Sequence, residues 1–191
     1  MTAGGQQYQL ASSCFSRHAT IGPNFRPGYT ALMPGSSELM KTYFHVEHLS
    51  LERLLKEWRW LCPQTVALIA RNAFGDLYLR DEFGKMLKLD VAIGQIKEVA
   101  ESEAEFRRLA ATKEKREEWF AESDELAASR QGLKRDANQC IGFKTPLVFA
   151  ESGTPNSAYV ADLYEYVSFL GELHRQISQL PEGSKVRLEF T

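Results

Sequence analysis

Asn72-Ala73-Phe74-Gly75-Asp76-Leu77-Tyr78-Leu79-Arg80-Asp81 runs straight into Glu82-Phe83-Gly84-Lys85-Met86-Leu87-Lys88-Leu89-Asp90. A Phe-Gly turn opens the first run, whose residues Leu77 to Arg80 alternate in polarity. Asp81 to Gly84 supplies a second turn, and a second alternating run begins at Lys85. Two period-two strands joined by a Gly-containing loop specify an antiparallel hairpin, half-buried on its sheet face.

The neighbouring segments extend this unit. Val66 to Ala70 is a short strand candidate ahead of the hairpin. Gly94 interrupts the chain after it, and Ile96 to Ala100 continues the meander. Ser102-Glu103-Ala104-Glu105 is a capping box opening a helix that turns Phe106, Leu109 and Ala110 inward. Upstream, Ser50 caps a helix whose Leu51, Leu54, Leu55, Trp58 and Leu61 form one stripe, ended by Pro63. Trp60 falls about half a turn from that stripe, at about 100° per residue. It is therefore exposed or packed on another surface.

Downstream, a charged helix is predicted from Lys113 to Arg130, stopping at Gly132. Strands follow at Cys140–Phe143 and Pro146–Phe149, then a polar loop from Gly153 to Ser157. A last helix over about 165–180 aligns Val167, Leu170, Leu173, Ile177 and Leu180, and Val186 to Phe190 closes the chain as a strand. Strands and helices segregated in this way indicate an α+β domain over residues 50–191, with helices packed on a largely antiparallel sheet. Its expected core contains Leu54, Trp58, Leu77, Leu79, Phe106, Phe143, Leu173 and Ile177. Residues 1–49, punctuated by Gly22-Pro23, Pro27-Gly28 and Pro34-Gly35, read as a loosely ordered N-terminal arm or partial module, and deletion of residues 1–38 is expected to leave a cooperatively folding remainder.

With 191 residues, 43% of them hydrophobic and 25% charged, the composition is that of an ordinary globular protein. A formal net charge of -2 offers no general attraction to nucleic acid or to an acidic membrane surface. No stretch approaches the roughly 18 apolar residues of a spanning helix. Cys14, Cys62 and Cys140 are widely spaced and odd in number, which suits reduced thiols and a cytoplasmic setting.

The search for chemistry returns little. His45 and His48 lie three apart, but no third ligand stands near them and the spacing is not that of HExxH. His174 sits between Leu170 and Ile177 on an apolar flank, where a core histidine outweighs a catalytic one. No glycine pattern cradles phosphate, and no nucleophile elbow is present. Neither a metal, a cofactor nor a catalytic residue is expected.

Charge is concentrated in one region. Between Lys97 and Glu125 ten acidic residues face six basic ones. The plain reading is a solvated helix with i,i+4 pairs such as Lys113–Glu117. The sharper one is a docking surface for a basic partner, formed by Glu114, Glu117, Glu118, Glu122 and Asp124 with Trp60 as an aromatic anchor.

A resemblance adds to this reading. Trp58-x-Trp60-Leu61-x-Pro63, Asn72-Ala73-Phe74-Gly75-Asp76-Leu77 and Leu89-Asp90-Val91-Ala92-x-Gly94 occur in order. They are followed by Ala100-x-Ser102-x-x-Glu105-Phe106, Glu118-Trp119-Phe120, Gln139 to Val148, Phe169 to Ile177, and Pro181-x-Gly183. The ordered set, spanning roughly residues 50–191, resembles the C-terminal domain family of bacterial type VI secretion immunity proteins. Relatives commonly carry a double glycine where this chain has Phe149-Ala150-Glu151-Ser152-Gly153, and many have a fuller N-terminal module. The resemblance implies a non-enzymatic protein that binds and neutralises a cognate secreted toxin, with nuclease effectors among the targets. A general protein-interaction module without a toxin partner is the alternative.

Overall fold

A computed structural model describes residues 7–11, 36–152, 157–181 and 183–187. The fold is α+β, and every strand pair among these residues is antiparallel. At its centre is a four-stranded meander of β2 (Val66–Arg71), β3 (Leu77–Asp81), β4 (Met86–Asp90) and β5 (Gln95–Ala100), hydrogen-bonded in sequence order. Two smaller ribbons accompany it. One pairs β1 (Gln7–Gln9) with β8 (Lys185–Arg187), the other β6 (Gln139–Phe143) with β7 (Ala158–Asp162).

Both hairpin turns are built by a carboxylate or amide acting on backbone N–H groups. Asn72 Oδ1 accepts from the amides of Phe74 and Asp76, both at 2.9 Å. Asp81 Oδ1 accepts from Phe83 and Lys85 at 2.9 and 2.8 Å. Gly75 and Gly84 take the left-handed φ values, 97° and 86°, that these turns need.

The sheet is more deeply buried than its alternation suggests. Leu77, Tyr78 and Leu79 are all fully buried, because each face of the meander carries its own apolar layer. Leu77, Leu79 and Leu89 join α2 (Leu51–Leu55) and α6 (Leu163–Ile177) in one cluster, with Leu54, Leu55, Leu163, Val167, Leu170 and Leu173. On the opposite face Ala70, Tyr78 and Met86 meet Tyr43 of α1 (Ser36–Phe44), Phe106 of α3 (Glu103–Ala110), and Trp119 and Phe120. Period two here sorts residues between two cores rather than between core and water.

Several predicted elements are revised. The helix expected from Lys113 to Arg130 is broken into α4 (Lys113–Lys115), a π turn (Arg116–Phe120) and α5 (Glu122–Arg130). Ala121 sits between the last two with φ 49° in the left-handed region. The wide turn carries consecutive Trp119 and Phe120, both buried, into the core on this face of the sheet. Pro146 to Phe149 is not a strand; Phe149 makes only an isolated bridge with Leu10, and the partner of β6 is β7. The helix begun at Ser50 ends at Leu55 and tightens into a 3-10 turn, Lys56–Trp58. Of the closing strand, β8 covers Lys185–Arg187, and residues 188–190 lie outside the described set.

Described residues before Ser50 pack into the fold. Leu10 and Ala11 are 6% exposed, Tyr43 is fully buried, and Val46 is 7% exposed. Tyr43 stacks on Phe120 with centroids 4.4 Å apart and donates to Glu125 Oε2 at 2.8 Å. The expected core residues are buried except Ile177, which is half-buried. At Ser102 the capping box forms with one change: its Oγ accepts from Glu105 N, but Glu105 reaches back to the amide of Glu101. No described helix is long and apolar enough to cross a membrane.

Candidate functional site

Trp60 is placed by a chain of contacts running back to α6. Gly171 lets the 3-10 turn approach that helix closely: a Cβ there would stand 2.8 Å from the Glu57 carbonyl oxygen and 2.9 Å from Trp58 Nε1. The buried Trp58 indole donates to the carbonyl of Val167 at 2.9 Å. Trp60 then lies 6.3 Å from Trp58, ring to ring, at an interplanar angle of 18°. Its own Nε1 donates to Glu57 O at 3.0 Å, yet the side chain remains 41% exposed. A large indole is thus held in a fixed orientation toward solvent.

Beside it is an open recess of about 300 Å³, lined by Leu10, Ala11, Trp60, Ile93, Gly94, Gln95, Val148, His174, Ile177, Ser178 and Leu180. Leu180, at 43%, is a second exposed apolar side chain on its rim. His174 is 5% exposed, and its ring lies against Gly94: a Cβ there would fall 2.4 Å from Nδ1, and φ is already 67°. Gly94 is therefore required twice, for its backbone conformation and for the imidazole beside it. Nε2 of His174 has no hydrogen-bond partner. Burial pushes the pKa of His174 below its usual value, against the opposing influence of the Ala92 and Val91 carbonyls and Asp90.

That depression has a measurable consequence. The unfolded chain binds the His174 proton more readily than the folded one, so this contribution to stability is complete above the ordinary histidine pKa of about 6.5. It is lost as pH falls below that point, at a slope of up to about 1.4 kcal/mol per pH unit. Urea unfolding midpoints measured between pH 8 and pH 5 should fall less for His174→Gln than for the native chain. Parallel curves for the two proteins would exclude His174 as the source.

The acidic stretch is dispersed rather than gathered into one face. Glu122 is buried and its carboxylate meets Arg116 Nε at 2.7 Å. Glu117 accepts from the Ser123 amide and hydroxyl at 3.2 and 2.8 Å. Glu118 pairs with Lys115 at 2.6 Å; burial raises its pKa, but Lys115 outweighs that and the net shift is downward. Asp124 is half-buried, and Glu114 is exposed. Glu125, beside them, is buried between Tyr43 and Arg135. None of these side chains lines the recess, so Trp60 shares a site with His174 and not with the carboxylates. The predicted Lys113–Glu117 pairing gives way to the Glu117–Ser123 contacts across the helix break.

The other flagged groups are placed as follows. His45 and His48 are exposed with ring centroids 4.9 Å apart, and His48 Nε2 lies 3.3 Å from Ala137 O. No group of three His, Cys, Asp or Glu side chains able to hold a metal occurs among the described residues. Cys62 and Cys140 are buried free thiols whose pKa values burial pushes up to about 11 and about 12. Cys14 lies outside the described residues.

Sequence reasoning passed over a buried ionic cluster. Lys88 Nζ sits between Asp76 Oδ2 at 2.8 Å and Asp90 Oδ2 at 2.9 Å, and both Lys88 and Asp76 are 7% exposed. Asp76 Oδ1 accepts from the Val91 amide at 3.0 Å, and Oδ2 accepts from Asn72 Nδ2 at 2.9 Å. Burial, then Asp90, raise the Asp76 pKa, with Lys88 opposing. For Lys88 burial disfavours the charge, but the carboxylates prevail and its pKa is raised. Every oxygen of Asp76 is occupied by the turn and the neighbouring strand, so this cluster fastens the hairpin to the segment after β4. The only sequence signal was a lysine at an apolar-facing register position, opposite Tyr78. Comparison with protein-family models and with curated proteins yields no match to this chain.

Proposed function

We propose that this chain is a non-enzymatic immunity protein that binds a cognate secreted bacterial toxin in the cytoplasm and blocks it. The observation that carries the reading is Trp60, a rigidly seated indole left 41% exposed beside an apolar recess. An indole held in a fixed pose and partly open to solvent supports a contact surface, because aromatic anchors dominate protein–protein binding energies. The ordered resemblance over residues 50–191 supplies the class of partner. A nuclease effector is the toxin type that the surplus acid between Lys97 and Glu125 would attract, because such an enzyme carries positive potential for phosphate.

The test is co-expression with the product of the adjacent gene. Cells carrying the native chain should survive toxin production, and the two proteins should co-purify. Trp60→Ala should weaken the complex by at least about 2 kcal/mol, roughly thirtyfold in Kd, while lowering the unfolding midpoint but leaving a cooperative transition. Normal protection and affinity with Trp60→Ala would move the contact surface elsewhere. Failure of the native chain to protect would reject the immunity role.

A further inference from the structure

We propose that β7 pairs with β7 of a second copy of this chain, forming a two-fold symmetric dimer through its outer edge. The register of the ribbon shows which backbone groups that edge presents. Lys144 N donates to Ser157 O and Leu163 N to Asn138 O, both at 2.9 Å, just beyond either end of the β6–β7 pairing. Antiparallel hydrogen bonding alternates along a strand, so Gly142 bonds Tyr159 and Cys140 bonds Ala161. The backbone groups of Ala158, Val160 and Asp162 therefore point away from β6. The partner strand shows the same alternation: Ile141 and Phe143, opposite Val160 and Ala158, send their amides to Ala73 O and the Tyr166 hydroxyl. Among the described residues nothing bonds the outward amide or carbonyl of Val160.

Other edges are defended. β2 and β5 each carry a shift in register, β5 presents Lys97 and Glu98, and β8 presents Lys185 and Arg187. Bulges and charges of this kind discourage strand addition. The register of β7 is unbroken, and Asp162 at its end is its only charge.

Symmetry selects the second copy. A two-fold axis centred on Val160 brings all three outward residues into hydrogen-bonding positions together. The two Val160 residues exchange N–H···O=C bonds, and each Asp162 amide meets the Ala158 carbonyl of the other copy. Tyr159, 37% exposed and edge-on to Tyr166 of α6, falls opposite Ala161 of the other copy, a large side chain beside a small one. The two Asp162 residues end about 14 Å apart along the strands, beyond the screening length of about 10 Å at 0.1 M salt. The same operation on β5, centred on Lys97 or Glu98, would set like charges face to face. β7 contributes no residue to the recess beside Trp60, and the dimer does not depend on the toxin reading.

The experiment uses the full chain without any partner. The contact is short, so the dimer should form between about 10 µM and 1 mM chain. Over that range sedimentation should show the mass rising toward twice the 21.6 kDa of one chain. Amide exchange followed by NMR locates the contact. The Val160 amide should exchange at least about tenfold more slowly at the higher concentration, whereas Tyr159 and Ala161, bonded to β6, should be protected at both. Val160→Pro removes a donor that β6 does not use, at an edge position where proline is tolerated. That variant should stay monomeric at about 1 mM, and Val160→Thr, which keeps the N–H, should still dimerise. Should the proline variant not fold, the exchange of Val160 in the native chain decides alone. A chain monomeric at about 1 mM would overturn the proposal, as would a dimer whose Val160 amide stays unprotected or a folded Val160→Pro chain that still dimerises. Protection of Val160 only when a different protein is bound would give the edge to a foreign strand and overturn it as well.

Discussion

Replacing Lys88 with Met should destabilise the protein by about 3–5 kcal/mol, because it strands two carboxylates around a vacated buried position. Asp76 and Asp90 both face Lys88 Nζ within 3 Å, and Asp76 is also fixed by the Val91 amide. The loss should be smaller when the charge is removed on both sides. Lys88→Met combined with Asp76→Asn should regain part of it, since the amide oxygen still accepts from Val91. Urea unfolding of the native chain, Lys88→Met, Asp76→Asn and the double variant measures the coupling directly. A double-variant loss equal to the sum of the two single losses would show that the ion cluster does not act as a unit.

Trp58→Ala should cost a similar amount, about 3–5 kcal/mol for an aromatic deleted from a packed core. Trp58 is fully buried, bonds Val167 of α6, and carries the 3-10 turn that presents Trp60. Trp58→Phe should lose less, keeping the ring but leaving the Val167 carbonyl without its donor. Denaturation midpoints separate the two. A Phe variant as unstable as the Ala variant would place the energy in the hydrogen bond instead of the packing.

The hairpin and the meander around it were legible because their signals are local. Gly75, Gly84, Asp81 and the alternation from Leu77 to Leu89 all act within a few residues of one another. Ser50 and Ser102 announced their helices for the same reason. What escaped depends on distant partners. Nothing near Tyr43 shows that it will stack on Phe120, so residues before Ser50 read as an arm. Ala158 to Asp162 lacks a strong strand pattern and becomes β7 only through β6, while Phe149, with better local credentials, finds merely a bridge to Leu10. The break at Ala121 was hidden because alanine is the best helix former, and its left-handed backbone follows a turn whose Trp119 and Phe120 are both buried against the sheet.

The same locality limited the reading of the site. Trp60 was marked by falling off its helical stripe, and His174 by lying on an apolar flank, but nothing in their spacing joined them. Helix α6 joins them, holding Gly171 under the 3-10 turn and His174 against Gly94. The acidic residues were conspicuous for the opposite reason. Charge can be counted without knowing orientation, and the fold turns Glu122 inward to Arg116 and ties Glu117 to Ser123.

The π turn at Arg116–Phe120 has an effect beyond its own shape. A regular helix satisfies its interior carbonyls with its own amides and has none to lend. The Trp119 carbonyl, where the ladder is interrupted, accepts from the Tyr78 hydroxyl and from Asn72 Nδ2 at 3.2 Å. One donor comes from the centre of the sheet and the other from the turn that starts its hairpin. The defect therefore works as a latch: helix and sheet share hydrogen bonds that neither can complete alone, so this helical layer gains its order from the sheet and is released with it, as one cooperative unit.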